Sequence, residues 1–375
     1  MIQPTEQVEW PPEWEHAVDP QTGARITRLT SATGIDHPLY YLTNSFSADC
    51  TSLVFASDRR GQTDLYRVSL TDGGIHRLTD LPGLQPFSGN VVDDRVYFTT
   101  DGAVHQLDLL SGDCRTLFAD PGCQLGEVTI NADGQWAAAL ITRGTSAGIL
   151  VTRIDGSQAD VILQDVRALY HPQFHPVDPQ QLIYSADPPD PRMWAVRIDG
   201  SDDRCIYRNH PEAWFVHETF LGTSDRLIVV HWHHGLLELD LNQGQLRQIT
   251  DLNVWHIASR HDGRMIVCDT HLPDVGLCLI DPQSGAHLPL CRSGARNLGR
   301  QWHQPTPLSA DHDAPGWATM VENQAGETDY GPQWTHPHPS FSPDGKWVTF
   351  TSDVSGSPQV YVVQVPADDW LSSSP

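Results

Sequence analysis

The feature that most constrains this chain is a unit of about forty residues that returns seven times. Each unit has a short extended segment, a polar Asp/Gly turn, a strand rich in β-branched and aromatic residues, and then a second strand. A third strand often follows, ending in a basic-polar phrase. The units begin near positions 45, 91, 129, 173, 219, 257 and 340, mostly 38 to 46 residues apart. The first reads SFSADCTSLVFASD, DLYRVSL, IHRLTD; the last reads SFSPDGKWVTFTSD, QVYVVQV. Four short antiparallel strands per unit at this period specify an all-β fold, a seven-bladed β-propeller. The last unit lacks a fourth strand, while ARITRLT (24–30) is an orphan strand of the same type. The pattern therefore predicts that the N-terminal strand closes the ring by joining the last blade. Residues 1–375 are expected to form one such domain, with an insertion at about 291–333.

In a propeller the innermost strand of each blade runs along the central channel, so distance from the turn aspartate measures depth. His338 lies six residues before Asp344 and His336 eight before it; His256 lies six before Asp262, and His217 eight before Asp225. Glu127 lies six before Asp133. Even offsets along a strand put these side chains on one face. Three neighbouring blades would thus present histidines at one depth, at one mouth of the channel. The insertion should open at the same end, where it could act as a lid. The loop 188–194, with Arg192, joins two strands of blade four there too.

Around the last of these histidines the chain reads Gln-Trp-Thr-His-Pro-His-Pro from Gln333 to Pro339. Each proline pushes the residue before it towards extended backbone, so His336 and His338 are expected on one face of a strand, with Gln333 in reach. Two imidazoles and an amide oxygen make most of a site for an ion that accepts mixed nitrogen and oxygen ligands. Taken alone, a His-Pro run with solvated rings at a strand start fits the stretch equally well.

Acidic residues outnumber basic ones 47 to 23, a formal charge of −24. That excludes a broad basic footprint for nucleic acid or an anionic membrane. A small anion remains compatible if a metal and an arginine supply local positive charge. The N-terminus has no basic segment followed by an apolar core, and no apolar run approaches the roughly 18 residues of a membrane span. The 7 cysteines are scattered and odd in number. They suit free thiols in a reducing compartment, so the chain is expected to be soluble and cytoplasmic.

With these residues assembled, the sequence resembles the oligogalacturonate lyase family, polysaccharide lyase family 22, whose members are seven-bladed propellers of pectin breakdown. Residues 333–341 are similar to the family's Q-x-x-H-P-H-P-x-F metal motif. Residues 255–263 resemble the segment that gives another metal histidine, here His256. Val-His-Glu-Thr-Phe (216–220) resembles the segment of the general base, here His217, although it lacks the usual preceding glycine. Arg-Met-Trp (192–194) resembles the phrase that supplies the active-site arginine, here Arg192, after a shorter loop. The resemblance implies a divalent metal, Mn²⁺ before others, held by His256, Gln333, His336 and His338. It implies β-elimination on a short anionic oligouronide, with His217 as base and Arg192 beside the carboxylate. Other readings are a non-catalytic TolB-like propeller serving as a protein-interaction module, or a lyase for another uronate-containing oligosaccharide.

Other signals carry less. Gly144–Gly148 matches G-x-S-x-G, but that nucleophile elbow needs a strand-to-helix turn, and here it joins two β segments. His-Trp-His-His (231–234) reads as a surface loop at a strand end. Tyr40, Tyr41 and Trp334 fall near the proposed mouth, as sugar-stacking faces or as packing. Glu127 reads as a solvated channel carboxylate, and His37 has no assignable role.

Overall fold

The computed structural model describes residues 9–165, 168–187, 190–210, 212–303 and 330–371. Seven antiparallel sheets follow one another in chain order, as the repeat predicts. Blade one runs outward from Asp36–Pro38 through Ser52–Ser57 and Asp64–Ser69 to Ile75–Arg77. Blade seven runs from Ser340–Phe341 through Trp347–Ser352 to Gln359–Gln364. Its fourth strand is Arg25–Arg28, with Ile26 opposite Val363 and Arg28 opposite Tyr361. The expected closure of the ring is therefore present.

Two details differ from the sequence reading. The innermost strand of blade one lies at Asp36–Pro38, ahead of the phrase beginning at residue 45. Blades one and seven also carry a fifth, outer strand, Glu9–Trp10 and Glu15–Val18. Both come from the acidic, proline-containing N-terminal stretch, where period-2 apolar alternation is absent. Outer edge strands need little of it, because one face is solvated.

The apolar residues pack between blades. Seven clusters each join two neighbouring sheets; Leu53, Phe55 and Tyr66 of blade one meet Val360 and Val362 of blade seven in the cluster that seals the ring. Blades five and six share a tryptophan-rich wedge of Trp214, Trp232, Trp255 and Trp302. Trp232 of the His-Trp-His-His stretch thus belongs to the core, while His233 and His234 are exposed. Truncating one large residue in such a wedge costs about 2–5 kcal/mol. The turns between first and second strands use glycine where backbone meets a neighbour. Gly345 has φ +68°, and a Cβ there would lie 2.6 Å from Arg260 Cδ of blade six. Gly144–Gly148 falls on the hairpin joining Trp136–Arg143 to Ser146–Arg153, without a helix. The middle of the 291–333 insertion, 304–329, and residues 188–189 of the Arg192 loop lie outside the described residues.

Candidate functional site

Regular alternation is not what aims the channel side chains. In blades three, four and five the innermost strand breaks register against its neighbour at the same level: between Leu125 and Val128, Tyr170 and Gln173, and Val216 and Thr219. A β-bulge turns the intervening residues out of the pleat. Blade seven does the same between Pro337, whose carbonyl accepts from Thr351 N–H, and Ser340. His171, His217 and His338 therefore occupy one structural position in three blades. All three have left-handed backbone, φ 51°, 59° and 47°. Such a conformation costs a non-glycine residue about 1–3 kcal/mol and clusters at functional sites.

This corrects two expectations. Proline does hold His336 extended, at φ −103° and ψ 146°, but His338 before Pro339 is left-handed. Counting back from the turn also misaligned His217, because the turns differ in length. Asp225 lies six residues after Thr219, whereas Asp344 lies four after Ser340.

The structure brings three of the four expected metal ligands together. His256, His336 and His338 can each offer a nitrogen within 4.8 Å of the others. All three are buried, at 1%, 0% and 2% exposure, which rules out solvated rings. Nε2 of His256 and Nε2 of His338 face each other at 3.0 Å. Two ligands at right angles around an ion, with bonds of about 2.1 Å, would sit about that far apart. Two of the three rings have their outer nitrogen engaged. His256 Nδ1–H donates to Asp269 Oδ2 at 2.7 Å, and Asp269 Oδ1 accepts the His256 backbone N–H at 2.7 Å. His336 Nε2–H donates to the Leu298 carbonyl at 2.9 Å. That leaves a lone pair on His336 Nδ1, a buried atom with no partner among the described residues, as is His338 Nδ1. Orphaned buried nitrogens on two rings of the blade-seven stretch, beside the His256 ring of blade six, fit a cation, and carboxylate-backed imidazole is the usual way of holding one.

Gln333 sits in a short 3₁₀ turn (Gln333–Thr335), half-buried, with its amide nitrogen on the Gly331 carbonyl at 3.3 Å. Its Oε1 makes none of the contacts seen among the three rings. A second amide, that of the fully buried Gln301, lies 3.5 Å from His336 Nε2.

His217 stands beside this cluster, its ring centre 4.7 Å from that of His256. Its Nδ1 shares a 2.6 Å hydrogen bond with the Tyr41 hydroxyl, and its Nε2 is buried without a partner among the described residues. Burial, reinforced by neighbouring His256 and Arg192, holds its pKa well below the usual imidazole value. The ring is thus neutral at physiological pH. Tyr40 and Tyr41 come from residues 39–44, an enlarged bulge of blade one at this same level, and pack on His171, His217, His256 and His338. Trp334 packs against them. His37 is buried, stacked on Phe87, with burial pushing its pKa down to about 4.

Arg192 is 8% exposed at the start of Met193–Arg197. Its Nε donates to Glu218 Oε2 and Nη1 to Asp187 Oδ1, both at 2.9 Å. Two carboxylates fix the guanidinium plane and leave Nη2 free of protein partners among the described residues. Glu218 follows His217 in the same bulge and also receives the Ser185 hydroxyl. Glu127, expected as a solvated carboxylate, is instead 3% exposed and accepts from His171 Nδ1–H at 2.8 Å.

The sequence reading missed Asp269, Tyr41, Glu218 and His171 as partners. One signal was available: an aspartate directly follows the second strand of blades one, two, four, six and seven, at Asp58, Asp101, Asp187, Asp269 and Asp353. Asp187 and Asp269 of that series support Arg192 and His256.

Three comparisons with known proteins bear on this arrangement. A family model described as oligogalacturonate lyase matches residues 312–369, the segment containing Gln333, His336 and His338. An oligogalacturonide lyase of Pectobacterium atrosepticum is 25% identical over 393 residues, covering 94% of this chain and 96% of its relative. An oligogalacturonate lyase of Dickeya dadantii is 25% identical over 391 residues, with the same coverage. Among solved structures, an oligogalacturonate lyase in complex with manganese superposes with a TM-score of 0.81 at 22% identity, over 97% of this chain and 99% of the other. That of Vibrio parahaemolyticus gives 0.78 at 20% identity, over 97% and 100%. The likeness is of whole chain to whole chain.

Proposed function

We infer that this chain is an oligogalacturonate lyase, a metal-dependent enzyme that cleaves short pectin-derived oligouronides by β-elimination. The observation that carries this reading is the set of three buried imidazoles converging at one channel mouth, with a fourth, neutral imidazole 4.7 Å away between ring centres.

His256, His336 and His338 hold the ion, with Gln333 supplying an amide oxygen from the adjoining turn. A hard amide oxygen and an oxyanion substrate beside the imidazoles favour Mn²⁺ over zinc, in line with the manganese of the similar structure. A divalent ion held there would supply positive charge at the uronate carboxylate and so favour loss of the C5 proton. His217 takes that proton at Nε2. Tyr41 accepts the hydrogen bond from Nδ1–H and so keeps the lone pair on the reactive nitrogen. A neutral, positioned imidazole of this kind contributes about 10²–10⁴-fold. Arg192 turns Nη2 to the same carboxylate, its plane fixed by Glu218 and Asp187. The C4–O4 bond then breaks and leaves a 4,5-unsaturated uronate.

Residues 1–375 act as one domain, with Leu298 and Gln301 at the start of the 291–333 insertion beside His336. The charge of −24 speaks against nucleic acid or membrane as partner and is compatible with a small anion only where the metal and Arg192 supply local positive charge. No helix among the described residues is long and apolar enough to cross a membrane, and the seven cysteines are free thiols. These features support a cytoplasmic enzyme.

The test is ultraviolet absorbance of the unsaturated product on digalacturonate, before and after chelation and after refilling with Mn²⁺. Activity should vanish with the metal and return with it. Turnover indifferent to chelation and to His336→Ala would end the metal-dependent reading. Product analysis across other uronides separates this substrate from a neighbouring one.

A further inference from the structure

The elimination releases one proton at C5 and needs another at the departing glycosidic oxygen, and no group assigned so far provides it. His171 and Glu127 form a buried pair that the mechanism leaves unused. His171 occupies the same bulge position as His217, in the adjacent blade, with the same left-handed backbone. Its Nδ1–H is fixed on Glu127 Oε1 at 2.8 Å, and Glu127 is itself 3% exposed. The ring lies parallel to Tyr40, at 5.5 Å and 20°, and Tyr40 packs on Tyr41, the partner of His217. His171 is also near enough to disfavour protonation of His217 and His256. With Nδ1–H engaged by the Glu127 carboxylate, it is the doubly protonated ring, paired with that negative charge, that carries a transferable proton on Nε2, as a carboxylate-backed imidazolium does when it acts as acid. A purely structural pair gains nothing from the strained backbone at residue 171.

We propose that His171, held by Glu127, is the general acid that protonates the departing glycosidic oxygen. This rests on the lyase reading above. His217 Nε2 takes the C5 proton, and the C5–H pair becomes the C4=C5 double bond. The C4–O4 pair moves onto the glycosidic oxygen, which takes the Nε2 proton of His171. One proton is removed and one delivered, nothing is oxidised or reduced, and both rings recover their starting states by exchange with water. In a galacturonide the C5 proton and the C4 oxygen lie on opposite faces of the ring. Base and acid must therefore come from different sides, which two adjacent blades flanking Tyr40 and Tyr41 supply.

The experiment compares two substrates on the metal-loaded protein: digalacturonate, and a 4-deoxy-4-fluoro galacturonide, whose fluoride leaves without full protonation. His171→Asn suits the left-handed backbone, and Glu127→Gln keeps shape without charge. Both variants should lose kcat on digalacturonate, His171→Asn by about 10²–10⁴-fold. KM should stay close to wild type, fluoride release should fall only a few-fold, and metal stoichiometry should be unchanged. His217→Ala should lose both reactions. Equal loss of His171→Asn on both substrates, loss confined to KM, or no loss would overturn the assignment while leaving the lyase standing. Wild-type protein that acts on neither substrate would remove the lyase reading and this assignment together.

Discussion

The two halves of the channel mouth use the same side chain in opposite ways. On the side of blades six and seven, three imidazoles converge until two ring nitrogens stand 3.0 Å apart. The outer nitrogens of His256 and His336 are pinned by Asp269 and by the Leu298 carbonyl, while His338 Nδ1 has no partner among the described residues. On the side of blades three to five, His217 and His171 point into the same space but are kept apart by Tyr40 and Tyr41. Each has its own partner, a phenol for one and a carboxylate for the other. His338, His217 and His171 share one bulge position, so the backbone does not distinguish the three rings. What stands behind each ring does: a phenol for His217, a carboxylate for His171 and no partner among the described residues for His338.

That contrast breaks most visibly if single substitutions fail to separate the two halves. His338→Ala should abolish both metal binding and turnover, reducing an ion stoichiometry near one to none by elemental analysis. His217→Ala should keep the ion and still lose about 10²–10⁴-fold in kcat. If it loses the ion as well, the halves are one site and the division is wrong. A smaller effect sharpens the ligand side. Asp269→Asn leaves a hydrogen-bond partner for His256 but removes the charge behind it, and metal affinity measured by competition with a chelator should weaken about 10–100-fold. An unchanged affinity would mean that packing alone orients His256.

The smallest effect comes from a histidine outside the mouth. His105 in blade two is 6% exposed, between Thr100 and Thr116, and burial lowers its pKa to about 4. Its unfolded counterpart protonates near pH 6.5, so below that pH the unfolded chain binds the extra proton first. Stability should then fall by about 1.4 kcal/mol per pH unit as pH drops from about 6.5 towards 4, with no such loss above 6.5. Denaturant melts of wild type and His105→Gln across that range test it, with the variant giving the flatter dependence. Equal slopes would mean that His105 is not held neutral.

Strand counts and ring closure could be read from the sequence because each blade repeats one alternating pattern, and a missing fourth strand in the last unit points to its donor. The histidines could be read as a set because a short motif places His336 and His338 two residues apart. Their aim could not be. A bulge leaves no mark in composition, and turns of unequal length hide the common position of His217 and His338. Partners across strands were less visible still. Asp269 lies 13 residues from His256, and Tyr41 lies 176 from His217, pairings that only the assembled ring creates. Glu127 was misread because offset alone cannot tell a channel-facing carboxylate in water from one covered by the next blade's imidazole.

The pairing of Arg25–Arg28 with Gln359–Gln364 has a consequence for synthesis on the ribosome. The strand that completes the last sheet is made more than three hundred residues before its partner and must wait, edge open, while they are added. His336 and His338 lie between the two, so a product that stops before them keeps the waiting strand but lacks its partner strand and both of these histidines.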